Sequence, residues 1–103
     1  MQIIPVQAVP NQTLMAVLAN QNTQLNIYQK NTGLFMDVLV SNNRIVAGVL
    51  CENLNRIVRS LYLGFIGDLA WIDNQGSSDP YYTGLGTRYS LAYLELSDLN
   101  GVG

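Results

Sequence analysis

The sequence predicts an all-β fold: one small antiparallel barrel or sandwich built from consecutive hairpins. Three features predict it. Short runs rich in Val, Ile, Leu and Tyr recur between clusters of Asn, Gly and Pro, at the spacing of strands in an all-β domain. Two of those clusters, Lys30-Asn31-Thr32-Gly33 and Asn42-Asn43, have hairpin-turn chemistry. The hairpin around the second is apolar on both faces, which suits a sheet covered on both sides. The 103 residues make a single domain, with residues 97–103 as a flexible tail.

The elements follow in order. Gln2 to Val9 is β-branched but contains Pro5, which lacks the ladder N–H and marks an edge or a bulge. Pro10-Asn11-Gln12 turns the chain into a second strand, Thr13 to Ala19. Asn20-Gln21-Asn22 turns it again into Gln24 to Lys30. Lys30 to Gly33 then reads as a type I turn closed by a left-handed glycine. Phe35 to Ser41 and Arg44 to Cys51 form the next hairpin, with Asn42-Asn43 as its loop because Asn tolerates positive φ. That loop pairs Ser41 with Arg44, Val40 with Ile45, Leu39 with Val46, Val38 with Ala47 and Met36 with Val49. One face then carries Met36, Val38, Val40, Ile45, Ala47 and Val49. The other carries Phe35, Leu39, Val46 and Leu50, broken by Asp37. Such a hairpin lies inside a closed barrel or is covered on its second face by another chain.

Glu52 to Ser60 reads either as a loop or as one helical turn with Leu54, Ile57 and Val58 inward. Leu61 to Asp73 is the sixth strand, with bends at Gly64 and Gly67. Asn74 to Gly86 is a long turn-rich loop, and Thr87 to Leu96 is the last strand.

Composition narrows the function. Charged residues are 12% of the chain, about half the usual share, and amides supply the polar surface instead. A weakly charged surface resists association poorly, so this chain reads as one normally covered by partners. Five basic residues and a net charge of −2 leave too few cations to neutralise a nucleic-acid backbone. No apolar run approaches the length of a membrane span. Met1 is followed at once by strand-like sequence, so no signal peptide is expected. The single thiol, Cys51, reads as a small buried apolar residue and fits a reducing cytoplasm.

The chemistry is equally bounded. There is no histidine, which removes the commonest general base and metal ligand. With one cysteine, neither a zinc site nor a nucleophile–histidine arrangement can be built. The carboxylate pairs Asp68 with Asp73 and Asp73 with Asp79 read as turn residues, not as a glycosidase pair. Gly84-Leu85-Gly86-Thr87-Arg88 lacks the lysine-serine ending of a phosphate loop and opens onto a strand. Tyr81-Tyr82 beside Pro80 reads as protein interface over ligand platform, because no basic residues surround it. No catalytic residue, cofactor or metal is expected.

The opening MQIIPVQAVPNQTL, the hairpin KNTGLFMDVLVSNN and the block LYLGFIGDLAWIDNQGSSDPYYTGLGTRYSLAYL together resemble the baseplate plug family of contractile-tailed, myovirus-type phages. The resemblance covers most of the chain and thins at the C-terminal tail. It implies a structural virion protein at the baseplate hub, at the distal end of the tail tube, made in the bacterial host cytoplasm. It implies hub, spike and tube proteins as partners, several copies in the assembly, and no chemistry. The family's glycine-aromatic loop corresponds here to Asp79, Pro80, Tyr81, Tyr82, Thr83, Gly84, Leu85, Gly86 and Arg88, the candidate partner contacts. In that reading the tyrosines supply contact area, Gly84 and Gly86 admit a partner backbone, and Arg88 bonds a partner group or pairs with Asp79. Two other classes stay open on the residues alone: a small-molecule-binding barrel, and a prophage-encoded regulator or inhibitor.

Overall fold

Alternation of apolar and polar residues sets the larger of two sheets. Along Gln21–Lys30, Thr23, Leu25 and Ile27 are buried while Gln24, Asn26 and Tyr28 face outward. Along Gly33–Val40, Leu34, Met36 and Val38 are buried against the outward Phe35, Asp37 and Leu39. This period of two gives each strand one core face. The computed structural model describes residues 2–58 and 65–95. In it, β2 (Asn11–Leu18), β3 (Gln21–Lys30), β4 (Gly33–Val40) and β5 (Asn43–Leu50) form an antiparallel meander in chain order. A second antiparallel sheet has the order β1 (Gln2–Ile4), β7 (Tyr89–Leu94), β6 (Asp68–Asp73). The two sheets share one hydrophobic core, so of the two predicted arrangements the molecule takes the sandwich and not the closed barrel.

The turns come out largely as the Asn and Gly residues foretell, with shifts of a residue or so. Ala19-Asn20 and Ser41-Asn42 are two-residue hairpin loops in which both residues have positive φ, as a type I′ turn requires. The first replaces the expected Asn20-Gln21-Asn22 turn. The second replaces Asn42-Asn43, so Val40 pairs with Asn43 and Leu39 with Arg44. Two register shifts follow, and Met36 still meets Val49 as expected. Each has an extra residue on β5: Ile45 falls between the partners of Leu39 and Val38, and the second shift is a bulge. Ala47 and Gly48 stand opposite the single residue Asp37, Gly48 has φ +65, and its N–H donates to Asp37 Oδ1 at 2.8 Å. The extra residue at Ile45 brings Val46 opposite Val38 and onto the core side, against the expected face. Lys30-Asn31-Thr32-Gly33 turns the chain and has a positive-φ glycine (φ +149), but Gly33 already pairs with Lys30 at the head of β4, so the loop is Asn31-Thr32 alone and not a type I turn closed by that glycine.

Other boundaries moved more. β1 stops at Ile4, before Pro5, and does not run to Val9. β2 begins at Asn11, inside the expected turn; Gln7 and Gln12 instead exchange two hydrogen bonds across the bend. The segment after β5 is not helical. Asn53 and Arg56 bridge to Trp71 and Ala70, and the Leu54 and Ile57 N–H groups donate to the Trp71 and Leu69 carbonyls, so this stretch covers the outer edge of β6. Ile57 and Val58 are buried as expected, but Leu54 points outward at 67% exposure with φ +65. β6 starts at Asp68, after a bend at Gly67 (φ +90), and β7 starts at Tyr89. Residues 65–67 and Glu95, expected in strands, lie outside them; residues 61–64 with the bend expected at Gly64, Leu96 and the expected tail lie outside the described residues.

The core centres on Trp71, Tyr93 and Phe65, the last two edge-to-face at 5.9 Å. Gln21 pins the two layers together. Its Nε2 donates to the Leu18 and Ile66 carbonyls, and its Oε1 accepts the Ile66 N–H. That accounting explains why an amide sits buried at the head of β3.

Candidate functional site

The loop between β6 and β7 is held by its own chain before anything else touches it. Asp73 closes β6 and turns its carboxylate back into the loop. Oδ1 accepts from the Gln75 N–H and from Arg88 Nε, each at 2.9 Å. Oδ2 accepts from the Ser78 N–H at 2.8 Å and from Arg88 Nη2 at 2.9 Å. Aspartate favours this role because a short carboxylate reaches the backbone just ahead of it. Arginine suits it because its planar fork matches both oxygens. The Arg88 guanidinium, helped by the two loop N–H groups, holds the Asp73 carboxyl well below the usual carboxylate range, and Asp73 in turn raises Arg88. Arg88 Nη2 also reaches Ser78 Oγ at 3.2 Å, and the guanidinium lies 5.2 Å from the Tyr89 ring centre.

Asn53 ties the loop to the neighbouring segment. Its side-chain oxygen accepts the Asp73 N–H at 2.9 Å, and its N–H donates to Asp79 Oδ1 at 3.0 Å. Arg88 pairs within the chain with Asp73, not with the expected Asp79, which takes the Asn53 N–H. The Tyr82 N–H donates to Gln29 Oε1 at 3.1 Å, fastening the loop to β3.

These bonds sort the nine candidate residues. Pro80 and Leu85 are buried, and Tyr82, Gly84 and Arg88 are half-buried. Asp79, Tyr81, Thr83 and Gly86 are exposed. Tyr82 packs against the core, with the Tyr81 ring 5.1 Å away on its outer side. Tyr81 is 50% exposed and is this loop's aromatic residue offered to solvent. The two glycines serve close approach, but to their own chain. A Cβ on Gly84 would lie 2.7 Å from the Tyr89 ring. One on Gly86, at φ +84, would lie 2.5 Å from the Val6 carbonyl oxygen.

Sequence reasoning read Asp73 as a turn residue, which its bonds to the Gln75 and Ser78 N–H groups match, but missed Asn53 and the pairing of Asp73 with Arg88. Those two backbone bonds are local, but the Arg88 partner of Asp73 and both partners of Asn53 lie 15 to 26 residues away along the chain. It also missed the outward Leu54, next to Asn53.

The second face of the larger sheet is less apolar than expected. A polar row crosses it. Thr13 Oγ1 donates to Asn26 Oδ1, Asn26 Nδ2 to Asp37 Oδ2, and the Tyr28 hydroxyl to Asp37 Oδ1. Burial works against the Asp37 charge, but the Gly48 N–H, the Tyr28 hydroxyl and the Asn26 amide hold its carboxyl below its usual value. On one side of that row Tyr28 stacks on Phe35 at 6.1 Å, with the Lys30 ammonium about equally near both rings. On the other side lie Met15, Val17 and Leu39.

Among the described residues, no group of three or more Asp, Glu, Cys or His side chains is placed to hold a metal ion, and no helix is long and apolar enough to cross a membrane. The carboxylates weighed as acid–base pairs all have backbone work: Asp68 Oδ1 accepts from the Val58 and Leu69 N–H groups, Asp79 from Asn53, and Asp73 from its loop.

In comparison with known proteins, the sequence model of a family described as cyanophage baseplate Pam3 plug gp18 matches residues 1–97. No curated protein matches the chain significantly.

Proposed function

The chain belongs to the cyanophage baseplate plug family, and on that premise we propose that it is a structural subunit of a contractile tail. It sits at the baseplate hub, at the distal end of the tail tube, and works by protein contacts without chemistry of its own. Membership in the family makes it a structural phage baseplate component that meets other baseplate or tail proteins. The hub, spike and tube as its neighbours, several copies in the virion, and synthesis in the host cytoplasm complete the reading.

One observation supports contact through the loop Asp79 to Arg88. The loop is bonded to its own sandwich by Asp73, Arg88 and Asn53, yet it leaves Tyr81 half exposed. A loop ordered beforehand loses little entropy when a partner arrives. A rigid, half-polar ring is the residue type that dominates interface energies.

The test separates two tyrosines. Tyr81→Ala removes the exposed ring and should leave circular dichroism and thermal stability nearly unchanged. Burying one such ring is worth on the order of 2 kcal/mol, which is roughly thirtyfold in a contact equilibrium. Incorporation of the variant into tail particles, measured by complementation, should fall accordingly. Tyr82→Ala should instead destabilise the fold, because that ring packs on the core. Unchanged incorporation of Tyr81→Ala would remove the loop from the interface.

A further inference from the structure

One strained backbone position carries an apolar side chain into solvent. Glu52 to Asn55 is a β-turn, closed by the Asn55 N–H on the Glu52 carbonyl at 3.3 Å. Leu54 is its third residue and has φ +65, while Asn53 before it has no positive φ. That is the pattern of a type II turn, whose third position takes glycine or asparagine. A bulky side chain at such a φ is an outlier. Leu54 recovers little from the fold in return. At 67% it is the most exposed large apolar side chain among the described residues.

The surrounding bonds hold the strain in place. The Leu54 N–H donates to the Trp71 carbonyl at 2.8 Å, and Asn53 bonds Asp73 on one side and Asp79 on the other. Outliers that the surrounding structure over-determines gather at sites where a protein meets something else. Folding explains the turn but not its leucine, since Asn53 and Asn55 on either side are of the type the position suits. The place of the turn adds a second observation. Asp79, which takes the Asn53 N–H, lies two residues before Tyr81, so the outward leucine and the half-exposed tyrosine flank one hydrogen bond.

We infer that Leu54 is a second anchor of the contact assigned to the loop, and that it seats in an aliphatic hollow on another baseplate protein. The turn fixes the direction of the side chain, so docking orders little that is not already ordered. Burial of the leucine against the partner offsets the strain that the free chain carries. The inference rests on the reading of this chain as an assembly subunit, and it names the partner's surface at the same site: apolar, and concave enough to take one branched side chain.

The experiment compares the full-length wild type, Leu54→Gly and Leu54→Met by thermal unfolding and by occupancy of tail particles in complementation. Leu54→Gly relieves the strain and should melt no lower than wild type, and up to about 4–8 °C higher. It should nonetheless occupy particles about tenfold less, a change of 1.4 kcal/mol. Leu54→Met keeps both the strain and the apolar bulk and should match wild type in both readouts. A leucine with a structural role alone would move stability and occupancy in the same direction. If Leu54→Gly melts lower, the leucine is already packed by its own chain and the inference is overturned. Undiminished occupancy overturns it too, as does a wild-type dimer in sedimentation that Leu54→Gly dissolves, since the occupant is then a second copy. Tyr81→Ala keeps the two readings apart. Occupancy lost with Tyr81→Ala but not with Leu54→Gly leaves the loop contact and removes this one. The reverse result leaves Leu54 as the anchor and removes the loop.

Discussion

Gly86→Ala tests whether the loop is rigid for the reason given. Gly86 has φ +84, where an L side chain costs about 1–2 kcal/mol. Its added Cβ would lie 2.5 Å from the Val6 carbonyl oxygen. A relaxed carbon–oxygen contact is about 3.3 Å or more, so the two backbones must part by nearly an ångström. That movement strains the bond from the Gly86 N–H to the Tyr89 carbonyl at 2.9 Å, worth about 1 kcal/mol net. The sum is about 3 kcal/mol against a total stability of about 5–15 kcal/mol. For a domain of this size it should lower the melting temperature by roughly 12–24 °C. The assay is urea and thermal unfolding by circular dichroism, beside Gly76→Ala in the same loop. Gly76 has no positive φ, and its Cβ would meet nothing closer than Asp73 Oδ2 at 3.6 Å. That variant should fall within about 0.5 kcal/mol of wild type. If Gly86→Ala costs less than about 1 kcal/mol, or no more than Gly76→Ala, the loop is not braced against Val6 and the reasoning fails.

Three further outcomes follow from buried groups. Burial pushes the Cys51 thiol up to about 12, so native protein should react with thiol reagents no faster than it unfolds. Because the unfolded thiol ionises near 9.0 and the folded one does not, this residue should cost stability as pH rises above that value; Cys51→Ala should flatten that alkaline slope. Asp73 is shifted the other way. Its stabilisation is complete above the ordinary carboxylate value of 3.8 and is lost as pH falls from there toward its depressed folded value, so its carboxyl carbon signal should stay flat down to that region, and Asp73→Asn should weaken the acid dependence of unfolding. Gln21→Leu strands the Ile66 N–H and should cost about 1–3 kcal/mol, read as a shifted urea midpoint at constant slope.

The sequence by itself determined the class of fold and the number of hairpins. Asn, Gly and Pro act within two or three residues of themselves, so the turns near residues 20, 31 and 42 were legible to within a residue or so. The period-two pattern of Leu25, Ile27, Leu34, Met36 and Val38 named the core face of the central strands. The family resemblance, carried by three long stretches of residues, agrees with a family model matched across residues 1–97. The exact register of the β4–β5 hairpin was not legible. It turns on which of two adjacent asparagines enters the loop, and on a bulge held by Gly48 and Asp37, which lie 11 residues apart. The loop falls between the last two strands as expected, but which of its residues face inward was not legible. Gly84 and Gly86 looked like openings for a partner until the fold brought Tyr89 and Val6 against them. Arg88 had several acids to choose from, and only the folded chain put Asp73 within reach of its fork. Local conformational preference is written in neighbouring residues. Which distant backbone or carboxylate fills the space beside them is decided by how two sheets stack, and that is a property of the whole chain.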